Sequence, residues 1–144
     1  MREGPYAKQP VVDIKAVLVD GKYHEVDSSE RAFYMAGMLA LREAVLRGAP
    51  VLLEPVMSIE VVAPQEYVGD IIGDLGGRQA VIKGMEPHSG GAQAVMAEVP
   101  LAQMFGYATR LRSLTQGRGS FTMQFSRYQP TSDQVAKQVI SQVA

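Results

Sequence analysis

"AVIKGMEPHSGGAQAVMAEVP", Ala80 to Pro100, sets two runs of strand-forming residues on either side of His88-Ser89-Gly90-Gly91. A glycine pair between two such runs is the chemistry of a short hairpin connection, because glycine reaches the left-handed backbone region without a Cβ clash. In the second run Gln93, Val95, Ala97 and Val99 alternate with Ala94, Met96 and Glu98, the pattern of a half-buried strand. Upstream of the hairpin, Val68, Ile71, Ile72 and Leu75 recur at helical spacing, and before them Met57, Ile59 and Val61 alternate with Ser58 and Glu60. Downstream, Met104, Ala108 and Leu111 mark a second helix closed by Gly117. "SFTMQFSRY" then puts Phe121, Met123 and Phe125 on one strand face, with Arg127 following on the same side. The order is βαββαβ, a ferredoxin-like four-stranded antiparallel sheet with both helices on one face. Gly69 and Gly73 lie one turn apart in the first helix. Each costs about 1 kcal/mol relative to alanine, so a close backbone approach is expected to compensate.

The amino-terminal third has a different character. "VVDIKAVLVDGKYHEVD", Val11 to Asp27, is rich in strand formers around Asp20-Gly21, which predicts a hairpin. Asp27 with Glu30 predicts a helix start, Phe33, Ala36, Ala40, Leu41 and Ala44 form its apolar stripe, and Gly48 supplies a left-handed stop before Pro50. A weak terminal helix is expected over 132–144, with Val135, Val139, Ile140 and Val143 on one side. The fold class expected is α+β: a βα unit, then a ferredoxin-like βαββαβ sandwich, then a short helix.

Composition removes several functions. The chain has 144 residues, 47% of them hydrophobic, with a net charge of −1 and no cysteine. Disulfides and thiolate chemistry are excluded, no apolar run reaches the length of a membrane span, and "MREGPYAKQP" has no signal-peptide pattern, so a cytoplasmic location is expected. The two histidines, His24 and His88, stand apart from any triad or metal-ligand spacing. Asp70 and Asp74 could face a divalent cation, but acids at this spacing are read as a solvated helix face. "GDLGGR" lacks the lysine and hydroxyl of a nucleotide-hydrolysing loop, so the chain itself is expected not to be an enzyme and to hold no catalytic residue, metal or cofactor. The third strand offers no aromatic for stacking RNA bases on the sheet. Charge is uneven along the chain. Val56–Gly77 carries four carboxylates and no base, whereas Arg78–Tyr128 carries six bases against Glu86 and Glu98, which predicts a basic surface on the second half.

"VDSSERAF", "LEPVMSIEV", "GDIIGDL" and "EVPLAQMFGYATRLRSLTQGRGSFTMQF" together resemble the carboxy-terminal part of bacterial translation elongation factor G, from about Gly4 to Tyr128. The resemblance implies that residues 1–55 are the latter part of that family's fourth domain (ribosomal protein S5 domain 2-like), 56–130 its ferredoxin-like fifth domain, and 131–144 a terminal helix. It implies a fragment with an engineered start at Met1, whose full-length parent is a GTPase using GTP and magnesium to promote translocation of tRNA and mRNA. The implied partner is the ribosome: large-subunit rRNA near the sarcin-ricin loop and stalk base, and the small-subunit decoding centre. Arg110, Arg112 and Arg118 become candidate rRNA contacts, against the alternative that Arg110 and Arg112 solvate a helix face. His24, with Tyr23 beside it, matches the family's decoding-centre tip, against the alternative of an ordinary hairpin end. At Ala63 the chain departs from the family, which commonly has a hydroxyl helix cap there. Two other readings stay open: a related ribosome-acting GTPase of the tetracycline-protection or recycling branch, and an unrelated small-molecule-binding ferredoxin-like module.

Overall fold

In chain order the elements are α1 (Glu30–Arg47), β1 (Leu53–Pro64), α2 (Val68–Gly77), β2 (Val81–Pro87), β3 (Ala92–Pro100), α3 (Tyr107–Thr115), β4 (Ser120–Pro130) and α4 (Asp133–Val143). They come from a computed structural model that describes residues 1–143. The chain divides into one unit spanning Leu53–Pro130 and another made of Met1–Leu52 with the stretch from Thr131 on. The second unit begins at Leu53, with the first residue of β1.

The second unit is one antiparallel sheet of order β2-β3-β1-β4, the βαββαβ arrangement expected from the sequence. Ile59, Val61 and Ala63 of β1 and Val95, Ala97 and Val99 of β3 point to one face, where Ile71 and Leu75 of α2 and Tyr107 and Leu111 of α3 close the core. From Val95 to Val99 the alternation read in the third strand is the alternation of burial, whereas Ala94 is buried and Gln93 is not. Ala63 lies inside β1, opposite Gln93, and so is no cap; the turn at Gln65–Tyr67 that leads into α2 has no side-chain cap at all.

Three local expectations are corrected here. The bare Cα atoms of Gly69 and Gly73 meet nothing: a Cβ at either would have no atom within 4 Å. They border an open groove instead of a close backbone contact. Ala108 is exposed, and α3 begins at Tyr107, so its buried row is Tyr107, Leu111 and Thr115. Arg127 does not share a face with Phe125. Met57 stands opposite Phe125 while Val56 stands opposite Arg127, so Ser126 is an extra residue that turns Arg127 to the outer face. There Arg127 and Lys83 flank Glu98.

In the first unit the predicted hairpin over 11–27 is absent, and no strand forms among residues 1–52. Asp20 accepts a hydrogen bond from the Gly21 N–H at 2.8 Å, and Val17, Leu18 and Val19 are exposed. A two-stranded hairpin without a third strand or a helix to cover it is marginal in water. The helix begins at Ser29, not Asp27: Ser29 is extended, and its Oγ accepts from the Ala32 N–H at 3.1 Å. α1 buries no residue. Besides the expected stripe it exposes Tyr34, Met35, Met38, Leu39 and Leu46, so apolar surface surrounds it. Gly48 ends it with φ −76°, and the left-handed position falls on Ala49, φ 54°. The predicted terminal helix is α4; Ala144 lies outside the described residues.

Candidate nucleic-acid interface

The three candidate arginines of the second unit have different surroundings. Arg110, on α3, donates from Nε to Asp74 Oδ1 at 3.2 Å. Arg118, beyond the helix, donates to Glu66 Oε1 at 3.1 Å across a pair that is exposed on both sides. Arg112 has no carboxylate partner among the described residues. Lys83 and Arg127 meet Glu98, whose carboxyl is held below its usual range by the Arg127 hydrogen bond. The expected basic surface is thus partly neutralised: Asp74 and Glu66 of Val56–Gly77 pair with Arg78, Arg110 and Arg118, while Lys83 and Arg127 pair with Glu98 of their own stretch. Coulomb attraction across a few ångströms outweighs a separation that exists only along the chain.

The turn after α3 is built for exposure. Gln116 (φ 54°) and Gly117 (φ 79°) take successive left-handed conformations, and the Gly117 N–H donates to Arg112 O at 2.8 Å. Fully buried Thr115 anchors both sides of the turn, donating to Leu111 O at 2.7 Å and accepting from the Gly119 N–H at 2.9 Å. Gly119 must be small here, since a Cβ would lie 2.9 Å from the Thr115 side chain. Arg118 leaves this turn between two glycines.

Arg78 is a clamping side chain that the sequence pattern does not reveal. As the last residue of "GDLGGR" it reads only as the end of a failed nucleotide loop, yet its Nε donates to Asp74 Oδ2 at 3.0 Å and its Nη1 reaches the carbonyls of Gln103 and Phe105. Its guanidinium also stands 5.1 Å above the Tyr107 ring. Asp74 therefore receives an arginine on each oxygen, which leaves it unsuited to the cation reading. Buried Tyr107 has its phenol pushed up to about 12, first by burial and then by Asp74, against the opposing pull of Arg78. Its hydroxyl finds no partner among the described residues. Around this clamp runs a groove of about 730 Å³ bordered by Gly69, Gly73, Gly77, Phe105 and Arg110, with Phe105 82% exposed on its rim. The outer sheet face presents Ser58, Glu60, Met96, Glu98, Thr122 and Gln124 and no aromatic.

In the first unit His24 lies in an exposed turn. Its N–H donates to Ser28 Oγ at 2.7 Å and its carbonyl accepts from the Ser28 N–H at 2.9 Å. The Tyr23 ring lies nearly parallel to that of Phe33, with centroids 6.3 Å apart. The turn joins a coil segment to α1 rather than two strands.

Two family models divide the chain between them. That described as "Elongation factor G, domain IV" matches residues 1–49, and that described as "Elongation factor G C-terminus" matches 51–139. The chain belongs to the elongation factor G family. A crystal structure of a protein from Thermus thermophilus is 42% identical, superposes with a TM-score of 0.88 and covers 98% of this chain. This chain spans 21% of that protein's length. Among the described residues no helix is long and apolar enough to cross a membrane.

Proposed function

We propose that this chain is the ribosome-contacting part of a cytoplasmic elongation factor G GTPase, in which GTP and magnesium bind a separate domain and the whole factor moves tRNA and mRNA. The second unit rests on large-subunit rRNA near the sarcin-ricin loop and stalk base. The His24 turn reaches the decoding centre, where the imidazole stacks on a base or hydrogen-bonds its edge. The supporting observation is the exposed turn at Gln116–Gly117. On one side of it stands Arg112, with no carboxylate partner among the described residues, and on the other Arg118, between two glycines. Guanidinium forks pair with phosphate oxygens in two-point fashion. Arg110, held by Asp74, serves the α2–α3 contact instead.

Salt dependence tests this in the full-length factor. Each phosphate contact contributes about −0.7 to the log–log slope of affinity on salt for a single strand. Arg112→Ala is expected to flatten the slope by about that amount and to weaken ribosome binding by about 1–3 kcal/mol. Arg118→Ala should act in the same direction but less, because its free state already holds an exposed ion pair worth about 0–1 kcal/mol. Arg110→Ala should leave the slope unchanged. Unchanged affinity and slope in both Arg112→Ala and Arg118→Ala would remove rRNA contact from this turn.

A further inference from the structure

We infer that Phe33 and Tyr23 are positioning residues for His24, fixing the turn that presents its imidazole; this rests on the reading of His24 as the decoding-centre tip. The turn is held on both sides of His24 by different means. On the carboxy-terminal side, His24 and Ser28 exchange two hydrogen bonds, at 2.7 and 2.9 Å, closing a loop of five residues. The next residue, Ser29, caps α1 through the Ala32 N–H at 3.1 Å, and its carbonyl accepts from the Phe33 N–H at 3.0 Å. The loop is therefore joined to the first helical turn with no slack. On the amino-terminal side, the residue just before His24 lays its ring on Phe33, the rings inclined by 13° at 6.3 Å, within the range of offset stacking.

The exposure of the pair argues for presentation rather than packing. Tyr23 is 68% and Phe33 49% exposed, so the stack removes little apolar surface from water. What it does is restrict the backbone on the one side of His24 that has no hydrogen-bonded tether. The imidazole itself makes no hydrogen bond or ion pair among the described residues, so the fixed backbone holds out a side chain that is free to engage something else. A histidine on a loose loop loses that freedom on binding, and the affinity falls accordingly; one already held does not. The chemistry it meets is an unpaired nucleobase or the sugar-phosphate backbone beside it.

The test compares His24→Ala, Phe33→Leu, Phe33→Tyr and the double variant His24→Ala/Phe33→Leu in the full-length factor. Single-round translocation and ribosome-dependent GTP hydrolysis are measured side by side. Phe33→Leu keeps a helix former and removes the ring. It is expected to slow translocation roughly twofold to tenfold, the span set by the loss of one ring stack, with GTP hydrolysis unchanged. Phe33→Tyr should restore the wild-type rate, and Phe33→Leu should add nothing once His24 is gone. In this chain, NMR should show the ring-current shifts of Tyr23 collapse and the His24 amide exchange faster in Phe33→Leu, with α1 intact by circular dichroism. If His24→Ala slows translocation while Phe33→Leu does not, or if Phe33→Leu slows the His24→Ala factor equally, the positioning role is overturned. If His24→Ala translocates at the wild-type rate while the NMR changes appear in Phe33→Leu, the turn is held as inferred and the decoding-centre reading is what fails.

Discussion

The sheet unit and the α1 unit are both rich in apolar residues and use them in opposite ways. Val61, Leu75, Val95 and Val99 are fully buried between β1, β3 and α2, whereas Leu18, Val19 and Val26 are at least 90% exposed and α1 buries nothing. The difference lies in what each segment has beside it. β1 is flanked by β3 and β4 and covered by two helices, so each alternating residue meets a partner. The 11–27 stretch has equal strand propensity but no neighbouring strand to pair with, and strand propensity measures fit to a pleated, half-buried surface rather than an intrinsic backbone preference. An apolar pattern becomes structure only where another element completes it.

The largest contrast should come from removing one leucine in each unit. Leu75→Ala, in the closed core, is expected to destabilise the second unit by about 2–5 kcal/mol in urea unfolding. Leu39→Ala, on the exposed side of α1, should stay within about 0.5 kcal/mol. Amide exchange slower over 11–26 than in β1 and β3 would break the comparison outright.

A smaller effect sharpens the account of the second unit. Tyr107 ionises at about 12 when folded and near 10 when unfolded, so the unfolded chain releases its proton first. Stability is then intact below pH 10 and declines between pH 10 and 12, by about 2–3 kcal/mol for the full interval. Alkaline denaturation followed beside tyrosinate absorbance checks this. Tyr107→Phe should abolish that decline and, having no hydrogen bond to lose, should cost little at pH 7.

The smallest effect compares two left-handed helix ends. Ala49 (φ 54°) follows α1, and Gln79 (φ 61°) follows α2 where the Ala80 N–H returns to Leu75 O at 3.0 Å. Gly removes the Cβ penalty at such positions. Gln79→Gly should stabilise the second unit by about 0.5 kcal/mol in urea. Ala49→Gly should change only the helicity of α1, read by circular dichroism, since α1 contributes no buried contact.

The second unit is legible in the sequence because its signals are local and mutually consistent. Period-two strands, a glycine-pair hairpin and the Val68–Leu75 stripe all agree with one topology. The candidate site is only half legible. Arg112 and Arg118 stand out by type and by their glycine setting, but nothing in the chain order shows that Arg110 is taken by Asp74. Arg78 escapes notice because its partners at Gln103 and Phe105 lie 25 and 27 residues away. Simple alternation puts Arg127 on the wrong face because one extra residue in β4 reverses every later side chain.

By itself the sequence determined the element types of the sheet unit, the exclusion of thiol chemistry and the elongation factor G likeness that the family models bear out. Each follows from residue identity over short spans, where steric preference and periodicity act directly. Tertiary structure alone decided which charges cancel, which of the three candidate arginines stays free of a carboxylate among the described residues, where β4 bulges, and that the 11–27 stretch lies without a partner strand. Those outcomes depend on which segments meet across space, and contact energies fall off over a few ångströms regardless of how many residues of chain separate the groups.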